Sequence, residues 1–306
     1  SLGGQEFTFI NQIVEVLKDV IEATKGEGKW ENALRDALLT LGNMSGIPFN
    51  NLYKYAVGLY KNFAQNGDGY KIDAIVRGYS SNFILSEYKD AVKNGFTRKA
   101  NGYFDLVMST RTSASSEAKA EINSLYASGY SVLPKNYMVS YTDSASGEAI
   151  DLTSAQISLF RELYNKSGVI IDKVVKSSAY SKLTQEDQAK IIKKIYDTYY
   201  DYAKAKVLNS SDGSRLVKLL QYTNGNIDIS SVMIVLNQLQ NIQATKTKTR
   251  KELVIQYVNR LAMGKPLKLL ILNLMGYSTT ETNQKTLQSF LMSRGMNKAR
   301  ASEFVV

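Results

Sequence analysis

Apolar residues recur with a helical period along most of this chain. Phe9, Ile10, Ile13, Val14, Leu17, Val20 and Ile21 lay one apolar stripe along Phe7 to Thr24, and Ala33, Leu34, Ala37, Leu38 and Leu41 repeat it over Trp30 to Leu41. Spacings of three and four residues put such positions on one side of a 3.6-residue turn, so both segments predict amphipathic helices. Gly42-Asn-Met-Ser-Gly-Ile-Pro48 stops the second, since glycine allows the turn and Pro48 biases Ile47 out of the helical region. A helix resumes over Asn51 to Phe63, with Pro48 near its start, where a missing N–H costs little. Residues 1–64 therefore read as an N-terminal helical hairpin.

The pattern weakens between Ala64 and Asp151, where seven glycines from Gly67 to Gly147 separate short helical or extended runs. Glu117 to Ala127 reads as a short helix. Tyr137 to Thr142 and Ala149 to Leu152, joined by Ser144-Ala-Ser-Gly147, read as a small hairpin. Thr153 with Gln156 three residues on is a capping box that opens a helix over Ser154 to Ser167. Thr184 and Asp187 open a longer one, Gln185 to Leu208, whose residues Ile191, Ile192, Ile195, Tyr196, Tyr199, Tyr202 and Ala203 form a broad apolar face.

Asn209-Ser-Ser-Asp-Gly-Ser214 is the best linker by composition. Short helices follow at Arg215 to Tyr222, Ser230 to Asn241, Thr249 to Met263, Lys265 to Leu274 and Thr282 to Arg294. Short helices bury little alone, so these must pack as a bundle or against a partner. The expected fold is all-α with a small β-hairpin element, a multi-helix bundle with an elongated arrangement left open. It divides into residues 1–64, a central helical region 65–208 holding the β element, and a basic C-terminal helical bundle 213–306.

Charge sharpens this picture. The net +10 is placed unevenly: residues 213–306 hold 13 Lys and Arg against four Asp and Glu, while residues 1–212 hold 25 against 24. A basic segment can meet phosphate, an acidic protein surface or a membrane face without reading a sequence; it can also be merely a solvated helical face. The longest apolar run, Leu267 to Met275, is interrupted by Lys268 and Asn273 and is too short to span a bilayer, so no integral membrane segment is expected.

The chain has neither histidine nor cysteine. It therefore lacks the side chains most used for acid–base, nucleophilic and transition-metal work near neutral pH, and it has no disulfides. That composition fits a reducing cytosol or a particle assembled in one. Local motifs add no chemistry: Gly26-Glu-Gly28-Lys29 lacks the loop length and the Lys-Ser/Thr ending of a phosphate-cradling loop. Asn66 to Asp73 suggests a calcium loop, but Arg77 stands where the twelfth-position carboxylate belongs. Glu186 and Asp187 are adjacent, not facing, and suit a helix start better than a catalytic pair. Tyr196, Tyr199, Tyr200 and Tyr202 could stack on bases, but at helical spacing they read first as a core or interface stripe. No cofactor, metal site or catalytic residue is called for.

The candidate binding residues are basic. Lys246, Lys248, Arg250 and Lys251 place four cations in six residues with threonines between them, and Arg294, Lys298 and Arg300 add a second group. On one face they would make a phosphate-binding stripe; facing apart they would only solvate a bundle.

A series of ordered landmarks resembles a known family. EINSLYASGYSVLPK (Glu121 to Lys135), a hairpin, DLTSAQISLFRELYNKSG (Asp151 to Gly168) and SSAYSKLTQEDQAKIIKKIYDTYYDYAKAK (Ser177 to Lys206) resemble the helical C-terminal regions of bacteriophage and mobile-element large polyvalent proteins. NMSGIPFNNLYK (Asn43 to Lys54) is similar to a helix joint upstream in that family. KTRKELVIQYVNRLAMGKPLKLLILNLMGYS (Lys248 to Ser278) and LQSFLMSRGMNKARASEF (Leu287 to Phe304) are similar to its downstream helices and terminal turn. The resemblance implies a phage-encoded module, attached in relatives to nucleases, helicases or polymerases, and packaged and ejected with the genome. The matching positions are core and cap residues, so no catalytic residue transfers. Ser1-Leu-Gly-Gly looks like a truncated or processed start, and Phe304-Val-Val306 like a natural end.

The expectation is a non-enzymatic phage structural or interaction protein, a virion-associated internal protein or the C-terminal module of one. It would be found in the virion or the host cytoplasm and would pack on other phage structural proteins or on itself. The alternative is a nucleic-acid-binding accessory module of a phage polyprotein, contacting DNA through the basic third.

Overall fold

The computed structural model describes residues 85–306 apart from 87 and 110. The helices read over Phe7 to Phe63, the phosphate-loop and calcium-loop candidates, and the predicted 1–64 region lie outside the described residues.

The described chain is mainly helical with a single two-stranded element, as its periodicity requires. In order it runs α1 (Thr97–Ser109), α2 (Ser116–Ala127), β1 (Ser140–Thr142), β2 (Ala149–Asp151), α3 (Ser154–Val175) and α4 (Ser178–Ser181). Then come α5 (Gln185–Val207), α6 (Arg215–Tyr222), α7 (Ser230–Gln240), α8 (Arg250–Arg260), α9 (Lys265–Leu274), α10 (Glu281–Ser293) and α11 (Lys298–Val305). Two compact units result, one holding the described residues up to Ser128 together with Asn136–Ile157, the other Gly129–Lys135 and Ser158–Val306.

In the first unit, α1 and α2 pack together, and Tyr88, Phe104 and Tyr126 form an aromatic cluster with ring centroids 5.4–6.5 Å apart. Tyr88 is buried, so its hydroxyl needs a partner; it donates to Asn123 Oδ1 at 2.6 Å. The hairpin pairs Ser140 with Asp151, Tyr141 with Ile150 and Thr142 with Ala149. Its loop is pinned by Asp143, whose Oδ2 accepts from the Ser146 hydroxyl and N–H, bonds that hold the carboxyl below its ordinary range. The capping box at Thr153 is present in both directions: the Thr153 N–H donates to Gln156 Oε1 and the Gln156 N–H to Thr153 Oγ1.

The second unit is built around α5. Its buried stripe is the one expected, with Ile191, Ile192, Ile195, Tyr196, Tyr199, Tyr202 and Ala203 all inside. The tyrosines are therefore core residues: Tyr199 and Tyr202 meet edge to face at 6.2 Å, and Tyr164 contacts both Tyr196 and Tyr200. Tyr200 is only half-buried, and the Lys135 ammonium lies 4.9 Å from its ring centre. Helices α6 and α7 pack on α5, α9 packs on α7, α8 and α10, and α10 packs on α11.

Three boundaries differ from expectation, the first being the hairpin's first strand, which begins at Ser140 rather than Tyr137. The helix opening at Ser154 does not stop at Ser167 but runs through Gly168 to Val175. Ile170, Ile171 and Val174 continue the buried face of Phe160, Leu163 and Tyr164, and burying those side chains outweighs a glycine's helix penalty of about 1 kcal/mol. In the other direction, α8 ends at Arg260 rather than Met263. Leu261 is extended (ψ 142), because residues 261–264 are needed to reverse the chain into α9.

Residues 209–214 form a tight crossing. Asn209 adopts positive φ (50), the Ser210 N–H bonds back to Ala205 O at 2.9 Å, and Gln221 Nε2 donates to Ser210 O. The same six-to-one closure ends α6, α9 and α10, through Gly225 to Leu220 O, Tyr277 to Leu272 O and Met296 to Leu291 O.

Candidate functional site

The first basic group introduces a helical hairpin. Thr249 opens α8 with a capping box: its hydroxyl accepts from the Glu252 N–H, and Glu252 Oε2 accepts from the Thr249 N–H at 2.8 Å. The backbone bond from Thr249 holds the Glu252 carboxyl below its ordinary range. Val254 and Val258 face inward, the chain reverses at residues 261–264, and α9 returns with Pro266 in its first turn and Leu269, Leu270 and Ile271 buried. Contacts at both ends show that α8 and α9 run antiparallel. The Lys251 ammonium lies 5.8 Å from the centre of the Tyr277 ring at one end, and Lys268 Nζ donates to Asn259 O at 2.8 Å at the other.

Within that frame the sequence-predicted cations have distinct positions. Arg250 turns back onto the end of α7, where its Nε donates to Ile242 O at 3.0 Å and its second guanidinium nitrogen to Leu239 O at 3.4 Å. Leu239 O already accepts from the Ile242 N–H and Ile242 lies just past α7, so Arg250 adds a charged donor at a helix end whose carbonyls carry partial negative charge, and it acts as a side-chain cap. Lys248 Nζ reaches along the hairpin to Gln256 Oε1 at 3.1 Å. Lys246 is exposed and has no hydrogen bond or ion pair among the described residues.

The second group lies against other neighbours. Arg294 packs on Phe290, and Arg300 lies 4.7 Å from the Tyr222 ring centre, donates to the Tyr222 hydroxyl and pairs with Glu303. Lys298 is exposed in the first turn of α11. No hydrogen bond, ion pair or ring contact joins the two groups among the described residues.

The acids of the last third leave most of its charge uncompensated. Asp228 pairs with Lys173 of α3 at 2.8 Å, Glu252 belongs to the capping box, Glu281 pairs with Lys285, and Glu303 with Arg300. Of the 13 cations in residues 213–306, only Lys285 and Arg300 are in ion pairs among the described residues. Burial alone would raise the Asp228 carboxyl, but hydrogen bonds from Lys173 and from the Ser230 hydroxyl and N–H outweigh it and hold it below the usual range.

Searching the sequence for charge runs missed Arg260, Lys265 and Lys268. They are scattered along the chain, and only the reversal at 261–264 sets them on the hairpin that Lys246 to Lys251 introduces. It also missed a polar junction at the far side of α9. There the Arg215 guanidinium donates to Asn273 Oδ1 and to Phe304 O at 2.7 Å while lying 4.8 Å from the Phe304 ring centre, and Asn273 Nδ2 also donates to Phe304 O. One arginine thus fastens α6, α9 and α11. Asn237 of α7 similarly donates to Asp187 in the first turn of α5, and Glu186 pairs with Lys190 one turn on.

No protein-family model, curated protein or solved structure matches this chain. Among the described residues no cluster of acidic side chains is arranged to hold a metal ion, and no helix is long and apolar enough to cross a membrane.

Proposed function

We propose that this chain is a non-enzymatic helical interaction protein of bacteriophage type, either a virion-associated internal protein, packaged and ejected, or the C-terminal module of one. The observation that carries this reading is the use made of the polar side chains in the second unit. Arg215, Arg250, Lys173 with Asp228, Asn237 with Asp187, and Tyr257 with Gln238 each fasten one helix to another element. Groups that could do chemistry are engaged in holding short helices in register, which is what a packing module needs. The resemblance to large polyvalent proteins supports the phage setting, with the virion or the host cytoplasm as location and other phage structural proteins or further copies of the chain as partners.

Mass spectrometry of purified particles of the parent element is the direct test, and the protein is expected at stoichiometric abundance. Its absence from particles, together with a monomer by light scattering at every concentration and salt, would sink the packing role. The second reading is a nucleic-acid-binding accessory module, favoured by the uncompensated cations of residues 213–306.

A further inference from the structure

Between Thr245 and Tyr277 the chain carries seven cations and one carboxylate, and that carboxylate, Glu252, is committed to the capping box. We propose that the α8–α9 hairpin and the loop before it form a sequence-independent docking surface for nucleic-acid phosphate, gripped by Lys246, Lys248, Lys251 and Lys265, with Arg250 reserved as the cap of α7 and Arg260, nine residues from Lys251, on the opposite face of α8. The proposal names the partner of the second reading and rests on charge geometry alone, whether or not the chain is a virion protein.

Three observations select this partner. First, the antiparallel arrangement puts cations at both ends of the hairpin. An 11-residue helix is roughly 16 Å long, a span that covers about five phosphates of one strand. Second, the exposed residues between the cations, Thr245, Thr247, Gln256 and Asn259, are neutral hydrogen-bonding groups suited to phosphate oxygens. Third, Val254, Val258, Leu269, Leu270 and Ile271 are buried, Leu253, Ile255, Leu261, Met263, Leu267, Leu272, Leu274 and Met275 are half-buried, and none of the fully exposed large apolar residues lies between 245 and 277. A membrane-surface helix presents a fully exposed apolar face beside its cations, whereas the fully exposed positions of α8 are charged or neutral polar residues. All four gripping residues are lysines, point charges on flexible stems that suit an extended polyanion better than the paired geometry of a single carboxylate.

The test is fluorescence polarisation of the full chain with a duplex and a single strand of about 30 nucleotides across a salt series. Lys246→Ala/Lys248→Ala/Lys251→Ala is compared with the charge-matched control Lys190→Ala/Lys193→Ala/Lys194→Ala on α5, and circular dichroism checks that both variants fold. On the duplex the wild type should bind with a log–log salt slope of about −3.6, and the hairpin triple should lose at least tenfold affinity near 100 mM salt while its slope flattens by about 2.7. The α5 triple should change affinity less than twofold. Equal loss in both triples, no salt-dependent binding, or tighter binding to phosphatidylserine vesicles or polyglutamate than to DNA would each overturn the proposal.

Discussion

Arg250 and Lys246 stand four residues apart in one basic run, yet the fold uses them differently. The Arg250 guanidinium donates to two carbonyls at the end of α7, whereas Lys246 is exposed and has no hydrogen bond or ion pair among the described residues. Arg250→Ala should therefore lower stability by about 1 kcal/mol in urea denaturation, with Arg250→Lys restoring only part of it, because one ammonium cannot reproduce the forked geometry. Lys246→Ala should leave the urea midpoint unchanged. The tyrosine core gives a second prediction. Burial, aided by Glu162, pushes the Tyr202 hydroxyl up to about 12 from its ordinary 10.0, and burial raises Tyr199 as well. A raised folded value means the native state keeps its proton while the unfolded chain releases it. The associated stability is thus complete below pH 10 and is lost as pH climbs from 10 towards 12. Tyr202→Phe should make the alkaline decline in thermal midpoint shallower between those values, and an unchanged decline would show that other groups dominate it.

At the scale of elements, four helix ends of the second unit close by the same six-to-one bond, and they differ in the residue that adopts positive φ. Asn209 and Asn224 do so at the ends of α5 and α6, and Gly276 and Gly295 at the ends of α9 and α10. A side chain in this conformation is crowded against the backbone, so Gly276→Ala should cost about 1–2 kcal/mol even though nothing lies within 4 Å of the added methyl. Asn209→Gly should gain about 0.5 kcal/mol by the converse argument, read as a shift in urea midpoint at constant slope. Gly213 is more constrained: with φ +140, an added Cβ would lie 2.7 Å from Val217 Cγ1 in the first turn of α6. Gly213→Ala should consequently cost more than Gly276→Ala in the same assay.

Across the molecule, the uneven charge has an energetic consequence as well as a binding one. Like charges gathered in residues 213–306, and largely unpaired among the described residues, repel one another, and salt screens that repulsion over about 10 Å at 0.1 M. Raising sodium chloride from about 0.05 to 0.5 M should therefore raise the thermal midpoint by a few degrees. A falling midpoint would mean that the surface ion pairs, such as Lys173–Asp228 and Lys190–Glu186, matter more than the excess of positive charge. Phosphate polyanions should raise the midpoint beyond the effect of salt at matched ionic strength, because a ligand that binds only the folded chain stabilises it.

Local chemistry was enough to determine the class and most of the elements. The stripe of α5, the capping box at Thr153, the hairpin at 140–151 and the succession of short helices after Ser214 all follow from side-chain periodicity and from hydroxyl and carboxyl groups reaching backbone N–H groups a few residues away. Those interactions are short in sequence, so the sequence displays them. Tertiary packing decided what depends on distant partners. It carried α3 through Gly168, because a continued core face outweighed a local helix breaker. It turned Arg250 from a member of a basic run into the cap of another helix, and it brought Arg260, Lys265 and Lys268 onto the hairpin of Lys251. A charge run shows where cations are dense along the chain. Which of them face solvent together is set by how helices reverse and pack, and no local pattern encodes that.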